Sequence, residues 1–131
     1  MTIGVLIITH DRIGDALLET AKKMLGVCPV ATEVLPVALD CDPEERLDTA
    51  KQYIDKLNNG DGVLVLTDIY GSTPANIAFK LQVDHPVTVI TGLNLPMLVR
   101  ILNYSSLNID EVVRKAESGG REGVFICTPD M

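Results

Sequence analysis

Four apolar residues in unbroken succession, Val63-Leu64-Val65-Leu66, run straight into Thr67-Asp68, a Gly71-Ser72-Thr73 turn and Pro74. No other passage limits the possible folds as much. A strand without polar alternation is covered on both faces, which places it inside a parallel sheet with helices on either side. The turn that follows starts a helix: Thr73 is expected to cap it, and Pro74 to take the first position, where a missing N–H is harmless. Asp68 then stands at the end of a buried strand, beside hydroxyls and unpaired N–H groups at the positive end of a helix. Such a pocket holds an anion. The passage contains no nucleophile, so one must come from elsewhere in the chain.

The same strand-to-helix step recurs along the sequence. Residues 3–8 read as a buried strand, and residues 14–25 as a helix with an apolar stripe at Ile13, Leu17, Ala21 and Met24, closed by Gly26. Residues 33–39 form a weaker strand whose Pro36 lacks a ladder donor, which confines it to a sheet edge. Asp42-Pro43-Glu44-Glu45 opens a helix with cap, proline and acidic first turn together, and Leu47, Ala50, Ile54 and Leu57 supply its buried face. After the helix at residues 74–81, Asp84-His85-Pro86 turns the chain into a strand at 87–91. A helix at 97–103 is apolar on more than one face, as a second interface would require. An amphipathic helix at 108–118 precedes Gly119-Gly120, and residues 123–127 read as a last short strand. Alternation of strand and helix predicts one α/β domain over residues 1–131, with right-handed crossovers. An edge position for the second strand selects the flavodoxin-like order 2-1-3-4, a three-layer sandwich in which strands one and three meet at the switch point where ligands bind.

Composition removes several classes of function. A net charge of −7 offers no basic face for nucleic acid. Cys28, Cys41 and Cys127 are three, far apart and without a C-x-x-C pair, so neither a disulfide framework nor a zinc site is expected. The apolar start is too short for a signal peptide and no stretch is long enough to span a bilayer, so the expected compartment is the cytoplasm, with no membrane insertion.

In the 2-1-3-4 order, His10 ends the first strand and Asp68 the third, so the two can meet across the crevice. An imidazole held at Nδ1–H by a carboxylate keeps Nε2 as a free, oriented lone pair, a nucleophile. The Ser72 and Thr73 turn can supply donors to a phosphoryl group, and the scheme calls for neither a metal nor a cofactor. A histidine after an apolar run also reads as a plain loop residue. Thr9 and Asn76 are candidate phosphate contacts that can equally serve local structure, and Arg12 can meet a phosphate, a partner or only solvent. Tyr70 reads as a crevice wall and His85 as a solvated turn residue. No G-x-x-x-x-G-K-[ST] or G-x-S-x-G motif is present, which argues against a P-loop site or a hydrolase elbow. A signalling receiver, phosphorylated on Asp68, is the rival of similar layout. It wants an acidic pair after the first strand and a lysine after the fifth, where this chain has His10-Asp11 and Thr128-Pro129.

Four segments in order, residues 3–10, 67–76, 89–98 and 120–124, together resemble the IIA component of the mannose-type sugar phosphotransferase system. The resemblance covers nearly the whole chain. It implies that His10 accepts the phosphoryl group, that Asp68 orients the histidine, and that the turn carrying Gly71, Ser72, Thr73 and Asn76 cradles the phosphate. Where the family pattern has a Gly-Gly-Ser-Pro turn, this chain has Gly71-Ser72-Thr73-Pro74, with Ser72 in a glycine position. The resemblance further implies a phosphocarrier (HPr) as donor, a IIB domain as acceptor, and a homodimer in which residues 123–127 add antiparallel to the partner's sheet. A phosphoryl-donor subunit of a dihydroxyacetone kinase system is the near alternative.

Overall fold

The computed structural model describes residues 2–131. In chain order the elements are β1 (Gly4–His10), α1 (Ile13–Leu25), β2 (Ala31–Val37), α2 (Pro43–Leu57), β3 (Val63–Thr67), α3 (Thr73–Asp84), β4 (Val87–Thr91), α4 (Leu95–Asn103) and α5 (Ile109–Glu122). The strands form one parallel sheet in the order β2-β1-β3-β4. Alternate residues of the two central strands feed two cores. Val5, Ile7, Leu64 and Leu66 pack beneath α1, α4 and α5, whereas Leu6, Ile8, Val63 and Val65 pack beneath α2 and α3. Burial on both faces is why β1 and β3 show no polar alternation. Each such side chain contributes about 1.5–3 kcal/mol by leaving water.

Pro36 lies on β2 at one edge of the sheet, as its missing donor requires. Asp42 caps α2 by accepting the N–H of Glu44, and Asn94 and Asn108 do the same for α4 and α5 through Met97 and Glu111. Among the described residues no helix is long and apolar enough to cross a membrane.

Several expectations are corrected. On α1 the buried residues are Gly14, Leu18 and Ala21, while Ile13 and Met24 are exposed. Gly14 rests directly on β1, where a Cβ would come within 2.7 Å of Ile7 Cγ2, and this approach turns the neighbouring Ile13 outward. α5 does not stop before Gly119-Gly120 but runs through them to Glu122. Those glycines lie against α4, with room for no Cβ: one would meet Arg100 Cβ at 2.7 Å and the other Met97 Cε at 2.8 Å. Close helix packing outweighs the roughly 1 kcal/mol that each glycine costs a helix. α3 begins at Thr73, so the cap position belongs to Ser72, whose side chain makes no capping bond. Residues 123–127, expected as a strand, are not one in the single chain. Gly123 closes α5, and the exposed residues after it pair with no strand of the described chain.

Candidate active site

β1 and β3 deliver two side chains to the carboxyl end of the sheet. Because residues alternate along a strand, His10 projects on the same face as Leu6 and Ile8, toward α2 and α3. The register Ile8↔Thr67 sets Asp68 just past the end of β3, within reach. His10 Nδ1 lies 2.8 Å from Asp68 Oδ2, and the backbone N–H of His10 donates to the same oxygen at 3.0 Å. The second carboxylate oxygen, Oδ1, accepts the N–H of Ile69 at 3.1 Å. A carboxylate only accepts, so Nδ1 carries the proton and Nε2 holds a lone pair. Asp68 is 11% exposed and His10 42%: the acid is shielded while the ring opens to solvent.

The backbone around His10 is pinned from both sides. Asp11 N–H donates to Val37 carbonyl at 3.0 Å, extending the β1 to β2 ladder past the histidine. Asp11 then takes φ 41°, a left-handed conformation that aspartate tolerates better than most residues, and the chain enters α1. Thr9 is buried on the opposite face of the sheet. Its hydroxyl accepts the N–H of Gly14 at 2.8 Å and donates to the His10 carbonyl at 3.2 Å. Thr9 therefore braces the turn from beneath, and its side chain is not brought to the ligand side.

In the β3 to α3 turn, Gly71 takes φ 77°, the conformation that needs glycine. Ser72, at φ −118° and ψ 170°, is extended, so a side chain in that position strains nothing. Its hydroxyl donates to the Ile69 carbonyl at 2.7 Å and closes the turn. The N–H groups of Ser72, Thr73 and Ala75 meet no acceptor among the described residues, which leaves the start of α3 as a set of free donors. Thr73 and His10 share the wall of a cavity of about 80 Å³, completed by Val37, Ala38, Leu39, Cys41 and Pro43. Asn76 is exposed one turn further along, with its N–H on the Ser72 carbonyl.

The structure thus brings together His10, Asp68 and Thr73, keeps Gly71 and Ser72 as the hinge of the turn, and sends Thr9 elsewhere. Tyr70 is exposed, with its ring edge on Phe79. His85, expected in solvent, is partly buried, with Nδ1 unpartnered. Cys41 and Leu39 in the cavity wall were not singled out from sequence as site residues. The signal was positional, since both follow the end of a strand next to β1. Among the described residues no group of three or more His, Cys, Asp or Glu side chains is placed to hold a metal ion. An oriented imidazole with a free Nε2 beside the donor end of a helix is equipped to exchange an anionic group.

Residues 4–117 match the family described as "PTS system fructose IIA component". The chain belongs to the mannose-type IIA family of the phosphotransferase system. It is 38% identical over 132 residues to the PTS system mannose-specific EIIAB component of Escherichia coli (strain K12), an alignment covering 95% of this chain and 39% of that protein. The chain thus spans about two fifths of the length of that relative. The mannose/sorbose specific IIA subunit from Enterococcus faecalis superposes with a TM-score of 0.88 at 22% identity, covering 100% of this chain and 99% of that one. The phosphotransferase system component EIIA from Streptococcus agalactiae gives 0.83 at 23% identity, with 95% and 96% covered. These two likenesses establish a shared IIA fold.

Proposed function

We propose that this protein is a phosphoryl carrier of the sugar phosphotransferase system, with His10 Nε2 as the atom that takes and gives the group. The observation that carries this reading is the hold of Asp68 on His10 through both ring and backbone, which leaves Nε2 bare. A histidine-containing phosphocarrier of the HPr type donates. The Nε2 lone pair attacks phosphorus, the N–P bond of the donor's phosphohistidine breaks, and the donor ring keeps the electron pair. The His10 ring becomes cationic and Asp68 balances its charge, while free N–H groups at the start of α3 face the phosphoryl oxygens. A IIB component then attacks the same phosphorus and restores neutral His10. The exchange is reversible, because a ring nitrogen is a good leaving group in either direction. This chemistry belongs in the cytoplasm, where phosphoenolpyruvate and the carrier proteins are made.

The same reading extends to a homodimer. β4 is a sheet edge whose backbone is unpaired on one side, and it borders a groove of about 520 Å³ between β4 and α5. The segment beyond α5 exposes Val124 (78%), Phe125 (62%) and Ile126 (91%). A bare edge and an unpaired apolar segment in one chain satisfy each other when two copies exchange residues 123–127.

The decisive experiment incubates the protein with phosphoenolpyruvate, enzyme I and HPr, then maps the modified residue by mass spectrometry after acid and alkali treatment. The expected product is alkali-stable, acid-labile phosphate on His10. Equal labelling of a His10→Ala variant, or acid-stable phosphate on Ser72 or Thr73, would sink the reading.

A further inference from the structure

We infer that Thr67 is a positioning residue for the phosphoryl group: its buried hydroxyl accepts the N–H of Ala75 when His10 is loaded, and this bond seats the start of α3 at the site. The inference rests on the phosphoryl-carrier reading above and adds a residue to it. Thr67 is wholly buried, and its Oγ1 meets no hydrogen-bond partner among the described residues. The main chain of the same residue is held: its carbonyl accepts the N–H of Leu93 at 2.9 Å, and it sits in register with Ile8 on β1 and Thr91 on β4. A hydroxyl shut away from water without a partner is costly, and valine has nearly the same shape without that cost. Packing alone therefore gives no reason for threonine here.

Alternation places the Thr67 side chain on the face of Val63 and Val65, the face that α3 covers. α3 runs back over β3, with Ala78 in the same core as those two valines. Ala75 precedes Ala78 by three residues, ~4.5 Å nearer the carboxyl end of the sheet, and Thr67 follows Val65 by two, ~6.6 Å in the same direction. Ala75 is also wholly buried, and its N–H meets no acceptor among the described residues. A buried donor and a buried acceptor, both unmet, thus stand at one level between the end of β3 and the first turn of α3. Thr73, in that turn, shares a cavity with His10. A phosphoryl group on His10 draws the free N–H groups of Ser72 and Thr73 toward its oxygens. A small settling of the turn then brings the Ala75 N–H onto Thr67 Oγ1.

Two readings test this: the equilibrium of phosphoryl exchange with phosphorylated HPr, enzyme I absent, followed by mass spectrometry at neutral pH, and the melting temperature of the unphosphorylated protein. Thr67→Val is expected to raise that melting temperature by about 4 °C, because an unmet hydroxyl is removed. It is expected to shift the exchange equilibrium about tenfold toward HPr, because the loaded protein loses a buried bond. Thr67→Ser keeps the hydroxyl and loses a methyl, so it should melt below the native protein and yet exchange at the native equilibrium. A purely structural threonine would move only the melting temperature, since the exchange equilibrium is a property of the folded fraction. A Thr67→Val protein with the native exchange equilibrium overturns the inference. So does a lowered melting temperature in that variant, which would mean that the hydroxyl is already bonded in the unloaded protein. Thr67→Ser shifted as far as Thr67→Val also overturns it, since any change at this position, rather than loss of the hydroxyl, would then be the cause. If the native protein takes no phosphoryl group from HPr, the carrier reading itself fails and takes this inference with it.

Discussion

Asp68 accepts three hydrogen bonds with two oxygens, and two of the three come from one residue, His10. Such a carboxylate both sets the tautomer and fixes the rotation of the ring. Replacing it by alanine removes the counter-charge and both restraints but leaves the cores untouched. Asp68→Ala is therefore expected to keep its circular dichroism spectrum while phosphorylation, followed by rapid quench, slows by ~10²-fold or more, the scale of lost electrostatic support. A variant that is unfolded, or that reacts at the native rate, would refute this role. The turn gives a second test. Gly71 needs its left-handed φ of 77° and has open space around it, so Gly71→Ala meets backbone strain alone, about 1–2 kcal/mol. Urea denaturation should show that loss. At Ser72 the extended backbone fits any residue, and Ser72→Ala should lose only the bond to Ile69, about 1 kcal/mol. Similar curves for the two variants and the native protein would show that the turn is not held as described.

At the scale of elements, two close approaches govern the architecture, and they differ in their distance from the chemistry. α1 touches β1 at Gly14, whose N–H is held by Thr9 directly behind His10. A methyl there must push Ile7 or the helix aside, so Gly14→Ala should lower stability by about 1–3 kcal/mol and also slow phosphorylation, because the displaced turn carries the histidine. α4 touches α5 at Gly119 and Gly120, in the same helix layer but away from the β1 to α1 turn. Gly119→Ala should lower stability by a similar amount, about 1–3 kcal/mol, with the phosphorylation rate nearly native in the fraction that remains folded. Denaturation curves measured beside single-turnover rates decide the matter. Loss of rate in both variants alike would mean that the site depends on the whole layer rather than on the β1 to α1 turn.

The whole molecule has one blunted edge and one bare edge. β2 carries Pro36, which cannot donate, and the Lys56 to Glu33 contact at 2.6 Å ties α2 to the same strand. β4 carries neither device. Its five residues, Val87–Thr91, are all half-buried, as befits a strand lacking one neighbour. Truncation after Gly123 is therefore expected to convert a dimer into a monomer by light scattering while His10 remains competent to accept phosphate, since its partners all lie in one chain. A native protein that is monomeric at micromolar concentration would remove the dimer without touching the phosphoryl chemistry.

Local chemistry determined most of what is seen here: unalternating apolar runs for β1 and β3, Pro36 at an edge, asparagine and aspartate caps, and His10 and Asp68 at strand ends. Each is a property of a few adjacent residues, and the parallel order then brings the strand ends together. Tertiary structure decided the rest. Gly119 and Gly120 look like a helix stop until α4 lies against them, because a glycine's cost to a helix is local whereas the close packing it permits is not. Thr9 looks like a site residue next to His10, yet alternation turns it to the opposite face, where the N–H of Gly14 claims its hydroxyl. Leu39 and Cys41 join the histidine's cavity only because β2 lies beside β1. Residues 123–127 have the pattern of a strand but pair with no strand among the described residues, and backbone N–H and C=O groups make a sheet only with a paired neighbour.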